Sequence, residues 1–214
     1  MSDQDSGLVL VETVPVETTL GAARLPEPHI VWQEMVDAAE SSIVVAQFYV
    51  VSEPGKRMEP ILNSIEAAAK RGVRVRFLLD AKFAKTYPEG VERVQSVKEF
   101  ETELLDLDTR FGGVLHAKYF IVDGKDAYVG SQNFDWRSLE HIVELGVRIR
   151  DQSLVDSLAG VFERDWALAR GEESSATSRG SSPSRPRLPA NLCVSLRDTV
   201  RKHCLRTRAL GTCR

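Results

Sequence analysis

Cysteine is scarce in this 214-residue chain, and its three copies, Cys193, Cys204 and Cys213, all lie near the C-terminus without Cys-x-x-Cys spacing. That pattern offers neither a zinc site nor a disulfide framework, so a reducing cytoplasm is the expected setting. Long apolar runs are lacking as well. None approaches about 18 residues, which excludes a membrane-spanning helix from the expectation. The opening residues, Met1 to Ser6, carry Asp3 and Asp5 and no Lys or Arg, the wrong charge for a secretory leader. No cluster of His, Cys and acidic residues has metal-ligand spacing, and no metal or other cofactor is expected.

A general excess of positive charge is also missing. The net charge is −3, and it is unevenly divided: from Gly171 onward nine Lys or Arg face three Asp or Glu, a net of +6, leaving 19 basic against 28 acidic residues in 1–170, a net of −9. An acidic body is a poor non-specific clamp for polyanions, so any phosphate site must be local. What is present, 43% hydrophobic and 28% charged residues, suffices for one globular domain with a proper core.

The body reads as alternating helices and strands. Apolar Ile30, Val31, Met35, Ala38 and Ala39 give Pro28–Ser41 a helical spacing. Ser42–Val51 (SIVVAQFYVV) is a β-branched and aromatic run of the kind found in buried strands. The spacing predicts a helix over Pro60–Arg71 stopped by Gly72, a strand over Val73–Asp80, and a charge-rich helix over Val91–Leu105. Leu115–Val122 and Ala127–Gly130 read as strands about an Asp123-Gly124 turn. Glu144–Ile149 is a further strand, and Ser153–Ala169 a closing helix. This alternation implies an α/β domain over 8–170, a layered mixed β-sheet flanked by helices. Residues 171–214 form a Ser-, Arg- and Pro-rich tail, expected to be disordered because it has too little apolar surface to offset its ordering entropy.

One stretch carries chemistry: His116-x-Lys118-x4-Asp123-x6-Gly130-Ser131-x-Asn133. Six residue types fixed at spacing arise by chance roughly once in tens of millions of trials. His116 and Lys118 are two apart on a strand, so both leave one sheet face. A neutral imidazole can attack phosphorus and form a phosphohistidine, dividing one hard displacement into two easier ones. Lys118 can neutralise a phosphate oxygen, Asn133 can donate amide hydrogens to it, and Ser131 beside Gly130 can approach closely. Asp123 has two readings. It is either a catalytic member of the constellation or, at an odd separation from His116 and opening an Asp-Gly turn, a turn former.

The motif resembles the signature of the phospholipase D superfamily, in which His, Lys and Asp name the pattern. The flanking Asn133-Phe134-Asp135-Trp136-Arg137-Ser138-Leu139 and Glu144-Leu145-Gly146, with the opening LVETVP, are similar to one branch. That branch holds lysosomal 5′ exonucleases acting on single-stranded nucleic acid, with related viral envelope and bacterial proteins. The resemblance implies a metal-independent phosphodiesterase acting on a phospholipid or single-stranded nucleic acid. His116 would be its nucleophile, Lys118 and Asn133 its phosphate ligands, and Glu144 the acidic residue contacting the histidine. Salt-bridging is the plainer reading of Glu144, and packing that of Trp136. His29, His141 and His203 are expected in surface or capping roles, while Lys82 and Lys85 lie where charge could gather near the strand ends.

The chemistry needs a second histidine to protonate the leaving oxygen and then activate water. The motif occurs once here. Either two chains associate about a two-fold axis to share one phosphate site, or the chain is half of a two-motif enzyme, serving as a catalytically incomplete phosphate-binding or interaction module.

Overall fold

A computed structural model describes residues 7–21 and 25–172. Apart from Gly171 and Glu172, the tail expected over 171–214 lies outside the described residues, as does His203. In chain order the elements are β1 (Leu8–Thr13), α1 (Pro28–Asp37), β2 (Ser42–Gln47), β3 (Val50–Val51), α2 (Met58–Lys70), β4 (Arg74–Asp80), α3 (Ala81–Ala84), α4 (Pro88–Gln95), β5 (Phe100–Leu105), α5 (Asp108–Phe111), β6 (Lys118–Val122), β7 (Asp126–Gly130), β8 (Phe134–Asp135), α6 (Trp136–Glu140), β9 (Glu144–Ile149) and α7 (Gln152–Ala169).

Seven strands form a mixed sheet in the order β1-β9-β7-β6-β2-β4-β5. β2, β4 and β5 run parallel, whereas β6, β7, β9 and β1 join through antiparallel pairs. β2 is apolar on both sides because both faces are covered. Ile43 and Val45 enter one core with Trp32 and Met35 of α1 and Ile61 and Ile65 of α2. Val44 and Ala46 enter the other with Val155, Phe162 and Trp166 of α7. Trp32 is fully buried, its ring 5.0 Å from Phe134, 5.2 Å from Tyr128 and 5.6 Å from Phe120. This layered α/β architecture is the one the sequence pattern implies.

Two elements differ from expectation. The helix expected over Val91–Leu105 is helix only to Gln95, and Phe100–Leu105 is the edge strand β5. The run FETELL alternates: Phe100 and Leu104 pack on the first core, while Glu101 turns outward to Arg74 at 2.8 Å. The run Ser42–Val51 is not one strand either. It leaves the sheet after Gln47, turns through Phe48 and Tyr49, and resumes as β3, which pairs with β8 in a separate two-stranded sheet. Among the described residues no helix is long and apolar enough to cross a membrane.

Candidate active site

The strand directions bring the ends of β2, β4 and β7 and the starts of β6 and β9 to one edge of the sheet, where ligands of α/β folds gather. Gln47, the last residue of β2, is the register partner of Lys118, the first residue of β6. Gln47 is 1% exposed, and its side-chain oxygen accepts from the Phe134 amide at 3.2 Å. The segment carrying Asn133 is thereby tied to the strand beside Lys118. Pairing of Val50 with Phe134 and Val51 with Asp135 repeats the tie.

His116 stands just before β6, with an exposed side chain, and Lys118 is 9% exposed. The Lys118 ammonium lies 3.2 Å from Nδ1 and 3.1 Å from Nε2 of His116, and it donates to the His116 carbonyl at 3.2 Å. Near-equal distances to both ring nitrogens place the ammonium over the ring rather than along either in-plane lone pair. Burial, followed by the Lys118 charge, holds the His116 pKa below its usual value, against a smaller opposing pull from Asp80. The imidazole is therefore biased toward the neutral, nucleophilic form. Burial also lowers the pKa of Lys118, and the Glu144 carboxylate opposes that shift.

The carboxylate of Glu144 does not hold His116 directly. It accepts from the Ser131 hydroxyl at 2.7 Å and from the Ser138 hydroxyl at 3.0 Å, and among the described residues no hydrogen bond joins it to His116. The strand order supplies the reason: β7 stands between β9 and β6, so Ser131 at the end of β7 meets the carboxylate first. Ser131 also donates its amide to Leu145 at 2.9 Å. Both donors of this expected phosphate ligand are thus engaged within the protein. Asn133 is half-buried, and its buried side-chain oxygen has no hydrogen-bond partner among the described residues. An unpaired buried polar atom of this kind is a recurrent mark of functional sites. Among the described residues no three His, Cys, Asp or Glu side chains are grouped closely enough to hold a metal ion.

The family model of the cardiolipin synthase, PLD-like domain matches residues 33–166. The chain belongs to this PLD-like family. The virion nicking-joining enzyme of vaccinia virus (strain Western Reserve) is 34% identical over 172 residues, which cover 78% of this chain and 40% of that protein. The 5′-3′ exonuclease PLD3 of Xenopus tropicalis is 32% identical over 180 residues, covering 78% of this chain and 36% of that one. The chain thus spans roughly two fifths of the length of these curated relatives. Among solved structures, the phospholipase D family member Nuc from Salmonella typhimurium superposes with a TM-score of 0.58 at 22% identity, over 76% of this chain and 95% of that one. At that identity the likeness establishes the fold.

In this PLD-like domain Asp123 is not part of the His116 cluster. It lies past the far end of β6 at φ 53°, in the left-handed region. Its carboxylate accepts from the amides of Glu40, Ser41 and Ser42 at 3.0, 2.7 and 2.8 Å and from the Ser41 hydroxyl at 2.8 Å. Burial pushes its pKa up, but these hydrogen bonds outweigh it and hold the carboxyl below its usual range. The catalytic reading of Asp123 is therefore replaced by a structural one: it clamps the β6–β7 turn to the start of β2. Gly130 also has a structural use. A Cβ there would strike the Gln132 side chain, and one on its register partner Gly146 would strike the Tyr128 hydroxyl. The space accommodates a buried Tyr128–Gln132–Thr13 chain of hydrogen bonds, at 3.0 and 3.3 Å.

Other candidates fall into packing and ion-pair roles. Trp136 packs on the first core with the Lys56 ammonium 4.5 Å over its ring. Glu140 accepts from the Arg57 amide at 2.8 Å and from Lys56 at 3.2 Å. Lys82 pairs with Asp108 at 3.0 Å, Lys85 is exposed, His29 lies 3.3 Å from Glu27, and His141 lies edge-on to Trp136.

Two features were missed in the sequence. Asp80, 1% exposed at the end of β4, accepts from the Leu115 amide at 2.6 Å and from the Phe83 amide at 2.9 Å, anchoring the residue next to His116. The other is an aromatic cluster at the site's rim. Phe48 lies 4.6 Å edge-on to His116 and 3.7 Å from Phe83, and Tyr49 stacks on Tyr87 at 4.4 Å. A strand reading absorbed Phe48 and Tyr49 as core; the Gln47 side chain at the strand's end was the one polar signal against it.

Proposed function

We propose that the domain cleaves phosphodiester bonds through a phosphohistidine on His116. A neutral nitrogen of His116 attacks phosphorus, forming a P–N bond as the P–O bond to the leaving group breaks. A second imidazolium gives its proton to the departing oxygen. The same imidazole, now neutral, takes a proton from water, which attacks phosphorus and expels His116 with a phosphomonoester as product. Lys118 and the Asn133 amide meet the charge on the non-bridging oxygens. The observation that supports this most is the packing of an exposed imidazole, biased toward neutrality, against a buried lysine at the edge of the sheet where ligands of α/β folds gather.

The second imidazole is His116 of another copy of this chain. Exposed apolar side chains bracket the site: Phe111 at 73% and Val114 at 36% ahead of His116, and Ile142, Val143 and Leu145 at 43, 61 and 52% around Glu144. A two-fold axis across that face would cover them and set the two imidazoles over one phosphate. Acid-stable adducts need not form, so the test is alkaline quenching of a reaction with a phosphorus-labelled diester followed by peptide mapping. Label is expected on His116 in wild type and on no residue in His116→Ala, which should also lose turnover by at least about a thousandfold. Unimpaired turnover in His116→Ala would overturn the reading. The length of the curated relatives favours one alternative, a half-unit that binds phosphate without turning it over; inertness with retained binding would select it.

A further inference from the structure

Ser131 is held as an acceptor at a place where a phosphate needs donors. Its amide donates to the Leu145 carbonyl at 2.9 Å, and its hydroxyl donates to Glu144 at 2.7 Å. A carboxylate only accepts, so the one hydroxyl proton is committed to it. The pair is braced from behind. Glu144 is 8% exposed, and its other oxygen accepts from the hydroxyl of the fully buried Ser138 at 3.0 Å. A hydroxyl oxygen carries two lone pairs. One on Ser131 receives the Leu145 amide at 3.3 Å, and the other has no partner among the described residues, on a residue that is exposed.

That lone pair stands beside the phosphate site. β6 and β7 pair at Tyr119 and Val129, and continuing the register sets Gly130 and Ser131 beside Lys118 and Ala117. Phosphate oxygens are acceptors themselves, so a lone pair offers them nothing. A group that brings its own O–H is held there instead. In the cycle proposed above, the reactant that brings two is water.

We propose that Ser131 orients the water that hydrolyses the phosphohistidine, and thereby sets the choice between hydrolysis and transfer to an alcohol. This rests on the phosphodiesterase reading and assigns a group to its second step. One O–H of the water gives its proton to the second imidazole as the oxygen attacks phosphorus. The P–N bond breaks, and its electron pair returns to the His116 nitrogen. The other O–H points at Ser131 and keeps its proton. Because the water approaches opposite the P–N bond, it lies by the second imidazole. The Ser131 that holds it belongs to the chain supplying that imidazole. An alcohol has a single O–H, which the imidazole uses, so it gains nothing from Ser131.

The test uses the full chain with bis(p-nitrophenyl) phosphate, in water and in aqueous methanol. Ser131→Ala should slow the second step about 10- to 100-fold, seen as a burst of p-nitrophenolate ahead of a slower steady rate. In methanol the ratio of methyl diester to monoester product should rise by a similar factor. Ser131→Thr, which keeps a hydroxyl, should restore the wild-type ratio. That ratio is read only on chains that react, so poor folding of a variant does not alter it. A wild-type ratio in Ser131→Ala overturns the proposal alone. A larger loss in the first step overturns it in favour of a phosphate ligand. A wild type that releases no p-nitrophenolate overturns the phosphodiesterase reading, and this proposal with it.

Discussion

The protonation state of His116 is set by neighbours that pull in opposite directions. Burial and Lys118 lower its pKa, and Asp80 raises it. With the folded pKa below 6.5, the neutral form dominates at neutral pH and is lost only as the pH falls through that lowered value. An NMR titration of the His116 ring should show its midpoint under 6.5. Lys118→Met removes a charge that disfavours imidazolium, so the midpoint should move upward; no movement would show that the ammonium over the ring has no electrostatic hold on it. The closeness of His116 and Lys118 was legible in sequence because they are only two residues apart, although His116 stands just before β6 and not on the strand expected for both. Glu144 and Asp123 were not legible in the same way. Their partners depend on which strand lies beside which, and spacing along the chain does not encode that order.

Helices and buried strands were readable where one period ran cleanly, as in α2 with its stripe of Ile61, Ile65, Ala68 and Ala69. β5 was not, because an edge strand exposes one side, and Glu101 and Glu103 gave it the charge density of a surface helix. The same limit hid Asp80, a strand-terminal carboxylate whose two amide partners, Leu115 and Phe83, are brought to it only by folding. Asp80→Ala leaves both amides unpaired, at a cost of roughly 1–3 kcal/mol for a buried donor. Loosening the residue next to His116, the proposed nucleophile, should also lower kcat by about 10- to 100-fold, since a displacement near 1 Å can cost that much. Asp80→Asn presents one acceptor and one donor to the two amides and should fall between. Loss of a purely stabilising Asp80 would lower the melting temperature and leave kcat at permissive temperature unchanged. The His116 midpoint should fall in either variant, because the charge that raises it is gone, so the loss of kcat at permissive temperature is what marks positioning.

At the scale of the whole molecule, charge and chemistry point to a confined site. A body with a net of −9 over residues 1–170 is a poor non-specific clamp for a long polyanion, so a phosphate site must be local. In the proposed mechanism the second imidazole is decisive, since an imidazole acting as nucleophile cannot also be the acid in one turnover. If each active site spans a two-fold axis, mixing and exchanging equal amounts of wild-type and His116→Ala chains should leave about half of the wild-type chains paired with an inactive partner. Activity per wild-type chain should therefore fall by about half, provided that each mixed pair is inert. Activity that stays proportional to wild-type concentration after exchange would mean that one chain suffices. Energy transfer between differently labelled chains in the same mixtures separates that outcome from a failure to exchange. An assembly that forms and still shows no dilution by the inactive partner would place the proton donor within the single chain, against the shared-axis reading.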